Sequence, residues 1–221
     1  MNQFLDHYCE RLAPGLWGEP LNLLSNVAFL IAGVLIWRVL TTGQFRWPKV
    51  PGDIAVLTGL LFAIGIGSGL WHLTAQYWAL WTDQIPILLF INIFLLSCLF
   101  RVIEVSVLKG ILVFAAYHVI NTGALLLLPT GFLNGSIFYI PTWLFLAGLT
   151  LVIWQRREAD RQYYLWALII FTVALTLRTV DNTLCNIVPT GTHFIWHLLI
   201  AATLYLLMLG LINQNREIDH T

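Results

Sequence analysis

His193 and His197, in Thr192-His193-Phe194-Ile195-Trp196-His197, stand four residues apart. On a helix that spacing is about one turn, roughly 6 Å of rise, so both imidazoles face one point. Ser68 and His72, in Gly67-Ser68-Gly69-Leu70-Trp71-His72, have the same relation. Three histidines, two from one helix and one from another, leave a fourth position open on Zn²⁺. That is the pattern of a catalytic rather than a closed structural zinc site. No cysteine accompanies them, which argues against a soft-metal site. Asp83 follows His72 by eleven residues. It would act as general base, or orienting acceptor, for the water at the open position. The competing reading of a lone His-x-x-x-His is interfacial, with imidazoles that bond only water or headgroups. His72, Asp83 and Ser68 on the same leaflet weigh toward the metal.

The elements that must position these residues follow from composition. Of 221 residues, 59% are hydrophobic and 10% are Asp, Glu, Lys or Arg, against about 25% charged in an ordinary soluble domain. The mean hydropathy is +0.81. Eleven basic and eleven acidic side chains cancel, so no charge field points to nucleic acid. Three cysteines, Cys9, Cys98 and Cys185, are too few for a disulfide scaffold, and no Cys-x-x-Cys occurs. What remains is an all-α membrane protein, a seven-transmembrane helix bundle. The expected spans are 21–40, 54–74, 80–100, 108–128, 137–155, 163–180 and 193–213. Turn chemistry separates several of them, at Pro48–Gly52, Pro129–Gly135 and Pro189–Gly191. The seven-helix transmembrane domain thus covers 21–213, between an N-terminal segment (1–20) and a tail (214–221). Residues 1–10 lack the basic and apolar regions of a cleavable signal peptide. Trp37, Trp71, Trp81, Trp154 and Trp196 fall near span ends, as interfacial anchors would.

Basic residues set the expected direction. Arg38, Arg46 and Lys49 follow span 1, Arg101 and Lys109 follow span 3, and Arg156, Arg157 and Arg161 follow span 5. With Arg216 in the tail, these share one face, opposite Arg11 and Arg178. The positive-inside rule then puts the N-terminus outside and the C-terminus in the cytoplasm. Under that orientation the polar residues converge outside. Glu10, Glu19 and Asn22 precede or open span 1, and Arg178 and Asp181 close span 6. Arg178 and Asp181, one turn apart, read as a local ion pair or as a grip on a polar headgroup. His118, mid-span beside Asn121, reads as a packing or cavity residue.

Four blocks, in this order, resemble the alkaline ceramidases and their bacterial relatives. They are Tyr8-Cys9-Glu10-Arg11 with Trp17-Gly18-Glu19-Pro20-Leu21-Asn22 and Ser25-Asn26; Gly67-Ser68 with His72, Asp83 and Pro86; Asp181 with Cys185; and His193 to His197. The resemblance implies a seven-helix intramembrane zinc amidase cleaving ceramide to a sphingoid base and a fatty acid. It implies zinc on His72, His193 and His197, Asp83 as proton acceptor and Ser68 as hydrogen-bond donor to the oxyanion. It also implies a calcium ion in the N-terminal segment. Asp6, Glu10, Glu19, Asn22 and backbone carbonyls would be its oxygen donors, six to eight being wanted; the alternative is a solvated acidic turn. Finally, it implies a disulfide between Cys9 and Cys185. Cys98 reads as an ordinary small apolar residue.

The expected substrate is a lipid amide drawn sideways from the bilayer, ceramide or a related N-acyl lipid, with the active site near the outer (periplasmic or luminal) leaflet. No protein partner is identifiable. Two other classes compete: a receptor-like seven-helix protein with a structural zinc site, and a metal transporter. A transporter would need polar residues along the whole path, whereas the inner half of the spans is almost bare.

Overall fold

The computed structural model describes residues 7–42, 50–129, 131–156 and 160–218. The helices are α1 (Pro20–Ser25), α2 (Val27–Thr42), α3 (Gly52–Thr74), α4 (Tyr77–Ser97), α5 (Val107–Leu127), α6 (Ile140–Arg156), α7 (Arg161–Leu184) and α8 (His193–Ile218). Among the described residues, seven segments are long and apolar enough to cross a membrane, because α1 and α2 together make the first. Their ends lie within a few residues of expectation, except that the fifth starts earlier, at Phe132, and the sixth runs on to Leu184. Arg46, Lys49 and Arg157 lie outside the described residues.

Local chemistry explains the breaks. Pro20 sits at the first position of α1, where its missing N–H costs nothing. Asn26 interrupts the first span, and its side-chain amide donates to the Asn22 carbonyl at 2.7 Å. Only Ala75 and Gln76 separate α3 from α4, with Ala75 in the left-handed region at φ 53° and fully buried. That tight link puts the last turn of α3 against the first turns of α4. A methyl group on Gly67 would collide with the Thr82 carbonyl, so the two backbones approach where Ser68 and Asp83 must meet. At its far end α4 closes in a π-turn (Cys98–Val102), and a 3₁₀ segment (Phe132–Tyr139) leads into α6.

The core runs through α2, α3, α4, α6, α7 and α8, with Ile36, Leu57, Leu61, Phe90, Leu149 and Met208 buried in it. α5 packs least and leaves Leu126 and Leu127 more than three-quarters exposed, as a lipid-facing helix does. Two of the expected interfacial tryptophans are instead interior. Trp71 is fully buried beneath the N-terminal segment, and Trp196 packs against Tyr139 and Phe171. Trp37, Trp81 and Trp154 are exposed. Both Trp71 and Trp196 lie within a residue of a histidine in sequence, on the turn of helix that turns inward to present it.

Candidate metal centre and active site

The last turn of α3 and the first turns of α4 and α8 meet at one end of the bundle, roofed by residues 7–19. His72, His193 and His197 are there, all under 5% exposed, with candidate ligand atoms within 4.8 Å of one another. The polar partners decide which ring atoms are available. Glu19 is ion-paired to Arg11 and so accepts; it meets His72 Nδ1 at 2.8 Å, which must carry the proton. Ser25 Oγ donates its one proton to the Asn22 carbonyl at 2.8 Å, so at 2.8 Å from His197 Nδ1 it can only accept. Both rings therefore turn a bare Nε2 inward, and those two atoms are 3.2 Å apart. Two lone pairs at that distance repel unless a cation lies between them. Tetrahedral ligands at about 2.0–2.1 Å from zinc are roughly 3.3–3.4 Å apart, so the spacing fits a metal. His193 Nδ1 is buried and has no hydrogen-bond partner among the described residues, a further orphaned donor site. Three buried imidazoles that can hold one metal ion are thus in place.

Asp83 and Ser68, 6% and 4% exposed, hydrogen-bond each other beside this group, and Gln84 Nε2 donates to Asp83 at 2.9 Å. Asp83, Ser68, His193 and His197 line one cavity. Its other wall is apolar, with Phe90 and Phe94 of α4, Phe145 of α6, and Ile200, Leu204 and Leu207 of α8. From His193 to Leu207, at 1.5 Å per residue, it extends about 21 Å along α8.

The N-terminal segment is wired into the metal group. Tyr8 stacks on His193 with ring centroids 4.0 Å apart, and its hydroxyl accepts from Trp71 Nε1 at 3.2 Å. Burial pushes the Tyr8 phenol up to about 12, so it stays neutral near pH 7. Cys9 and Cys185 are joined by a disulfide that ties this segment to the end of α7. Asp181 Oδ1 accepts from the N–H groups of Thr192 (2.6 Å) and His193 (3.0 Å), while Oδ2 accepts from Cys9 N–H at 3.4 Å. A carboxylate thereby caps the first turn of α8, where unsatisfied N–H groups and the helix dipole both favour it. Gly191 (φ 62°) allows this, since any side chain there would strike Asp181 and Cys9.

Arg178 and Asp181 do not pair, contrary to the ion-pair reading of their spacing. Asp181 is occupied by the start of α8. Arg178 Nη1 instead donates to the Asn134 carbonyl (2.6 Å) and Ser136 Oγ (3.1 Å). His118 bonds Asn92 at 2.8 Å, in keeping with a packing role, and Cys98 is free and buried.

The calcium reading does not fit the donors. The Glu10 oxygens accept from Leu21 and Asn22 N–H, both at 2.8 Å. Those of Glu19 accept from Arg11 Nε, Asn22 Nδ2 and His72. Calcium needs six to eight bare oxygens, whereas the Glu10 and Glu19 oxygens face N–H groups. Of the expected side-chain donors among the described residues, only Asn22 Oδ1 has no partner. The cation here is Arg11, 4% exposed and stacked 4.4 Å from the Trp71 ring centroid. Burial raises both carboxyls above their usual range, and for Glu19 the Arg11 guanidinium works against that rise. Asp6 lies outside the described residues.

Glu19 as an anchor of His72, Ser25 as an anchor of His197, and Asp181 as a cap were not assigned these roles from sequence. Each lies inside one of the quoted blocks, which was the available signal.

A family model described as Ceramidase matches residues 8–219. No curated protein matches the chain. The chain belongs to the ceramidase family, a family of hydrolases.

Proposed function

Starting from that membership, we propose that the protein is an intramembrane zinc amidase that hydrolyses ceramide or a related N-acyl lipid to a sphingoid base or amine and a fatty acid. One observation carries the reading: two inward-turned Nε2 lone pairs share an apolar-walled cavity with the hydrogen-bonded Asp83 and Ser68. His72, His193 and His197 would hold the ion, with Glu19 and Ser25 fixing two of the rings. When bound, zinc polarises the amide carbonyl and makes water nucleophilic near neutral pH.

The chain's own groups do the rest. Asp83 takes the proton of the attacking water and returns it to the departing nitrogen, so one carboxylate serves as base and then acid. Ser68 turns its hydroxyl from Asp83 to the carbonyl oxygen as negative charge builds there. Gln84 keeps Asp83 oriented meanwhile. Phe90, Phe94 and Leu207 seat the acyl chain and exclude water from the reacting end. With most basic residues of the loops at the opposite end, the active site is assigned to the outer leaflet, the N-terminus outside and the C-terminus in the cytoplasm. Calcium has no part in this proposal.

The test is metal content and ceramide turnover on the same purified samples, wild type beside His193→Ala/His197→Ala. About one zinc per chain is expected in the wild type, lost together with turnover in the double variant. A wild-type protein that stays metal-free after zinc reloading would overturn the proposal.

A further inference from the structure

Arg178 is a cation inside a membrane bundle, and one feature of its bonding is unexplained by packing. Its guanidinium lines the same cavity as Asp83, His193 and His197. Only Nη1 hydrogen-bonds among the described residues, to the Asn134 carbonyl and Ser136 Oγ. No described carboxylate forms an ion pair with it, and Asp83, which lines the same cavity, meets its charge only at longer range. Guanidinium carries five N–H donors, so the Nε–Nη2 edge keeps its donors. That edge is the planar fork that grips a carboxylate through two parallel hydrogen bonds.

The surroundings hold the fork still. The ring centroids of Tyr139 and Trp196 lie 5.4 and 5.6 Å from the guanidinium carbon, on walls of the cavity. Leu133, Asn134 and Gly135 all have positive φ, 52°, 52° and 72°. For Leu133 this left-handed backbone is unfavourable, whereas Asn tolerates it better. The bend it makes aims the Asn134 carbonyl at Arg178, while Asn134 Nδ2 bonds the Arg178 carbonyl (3.0 Å) and its Oδ1 accepts from Asn182 (2.9 Å). A tie between the 3₁₀ segment and α7 alone would be served by a neutral donor. A charge beside an apolar-walled cavity is costly unless something pairs with it.

We propose that the Nε–Nη2 edge of Arg178 binds the carboxylate of a lipid in the cavity, making Arg178 a specificity residue for anionic ligands. This rests on the amidase reading. Hydrolysis of an acyl amide by water releases a fatty-acid carboxylate and an amine, so the carboxylate has two sources. It is the product's new carboxylate, or one already present in the head of an N-acyl amino acid substrate.

The experiment uses zinc-loaded wild type, Arg178→Gln and Arg178→Lys in detergent micelles. The substrates are ceramide and an N-acyl glycine of the same acyl chain, and oleate serves as inhibitor. If the headgroup is the ligand, the ratio of kcat/KM for acyl glycine to that for ceramide falls about 10- to 100-fold in Arg178→Gln. It recovers in part in Arg178→Lys. If the product is the ligand, that ratio is unchanged and the oleate inhibition constant rises by a similar factor. A merely structural arginine would lower both substrates alike and leave ratio and inhibition untouched, and that result overturns the inference while leaving the amidase standing. Should no substrate turn over, the amidase reading fails, and direct oleate binding to the three proteins still decides. Equal affinity in all three overturns the carboxylate site, and weaker binding in Arg178→Gln sustains it.

Discussion

Both ends of the bundle carry an acid–base pair, and the two could hardly be built more differently. At the site end the Arg11 and Glu19 side chains are fully buried, and Glu19 passes its second oxygen to a candidate metal ligand. At the other end Arg101 meets Asp53 at 2.7 Å with side chains 36% and 19% exposed, and Ser97 donates to the same carboxylate at 2.7 Å. The first pair is a link in a chain from Trp71 and Tyr8 through Arg11 and Glu19 to His72. The second secures the ends of α3 and α4. Breaking a buried pair strands a charge, at roughly 3–5 kcal/mol; an exposed pair is worth about 0–1 kcal/mol. Under the proposed function the same residue types serve the site at one end and local stitching at the other, and burial tells them apart.

The largest effect expected of a change that spares the metal is at Asp83. Asp83→Asn keeps the carboxamide in the Ser68 and Gln84 bonds but cannot take a proton. Turnover should fall by about 10²–10⁴ with metal content unchanged, read by elemental analysis beside a lipid hydrolysis assay. Retention of most activity would remove Asp83 as base.

Next comes the bond that distinguishes the two pairs. Glu19→Gln leaves the size of the side chain and removes its charge. His72 loses its anionic acceptor, and zinc affinity should drop about 10- to 100-fold in a chelator competition. Because Arg11 already supplies the cation at Glu19, adding calcium, or removing it with a calcium-selective chelator, should leave wild-type turnover unchanged. A calcium-dependent rate would show that Arg11 gives way to a divalent ion and would blur the contrast between the ends.

How much of this was readable beforehand follows from what spacing can and cannot encode. The histidines were legible because separation by one helical turn is enough to aim two side chains at a point. Seven spans were legible because length and hydropathy are local properties. The folding back of the N-terminal segment was not. The family resemblance made Glu19 an oxygen donor to calcium, and nothing in the sequence says that Arg11, eight residues earlier, returns to cover it. Arg178 and Asp181 looked like partners because one turn separates them, yet Asp181 is claimed by Thr192 and His193 across a loop. Trp71 and Trp196 looked interfacial because position along a helix is plain from sequence and direction around it is not.

The disulfide gives an intermediate case. Cys9–Cys185 closes a separation of 176 residues and pins the roof to α7. Cys185→Ser should lower stability by about 2–5 kcal/mol, measured by thermal unfolding in detergent. Asp181 still accepts from Cys9 N–H, so the roof keeps a polar tether. The zinc content at saturating metal should therefore hold while stability falls. Loss of zinc in step with the disulfide would mean that the roof depends on the covalent tie.

The smallest effect is expected at the far end, and it completes the comparison. Asp53→Asn removes the charge facing Arg101 while keeping an oxygen for Ser97 to donate to. Arg101 is partly exposed and can turn to water or headgroups, so the stranded charge is solvated and not trapped. Stability should change by less than about 1 kcal/mol, with metal content and turnover at wild-type values. A loss of turnover without a loss of stability would connect Asp53 to the cavity through α3, and the two ends could then no longer be treated as independent.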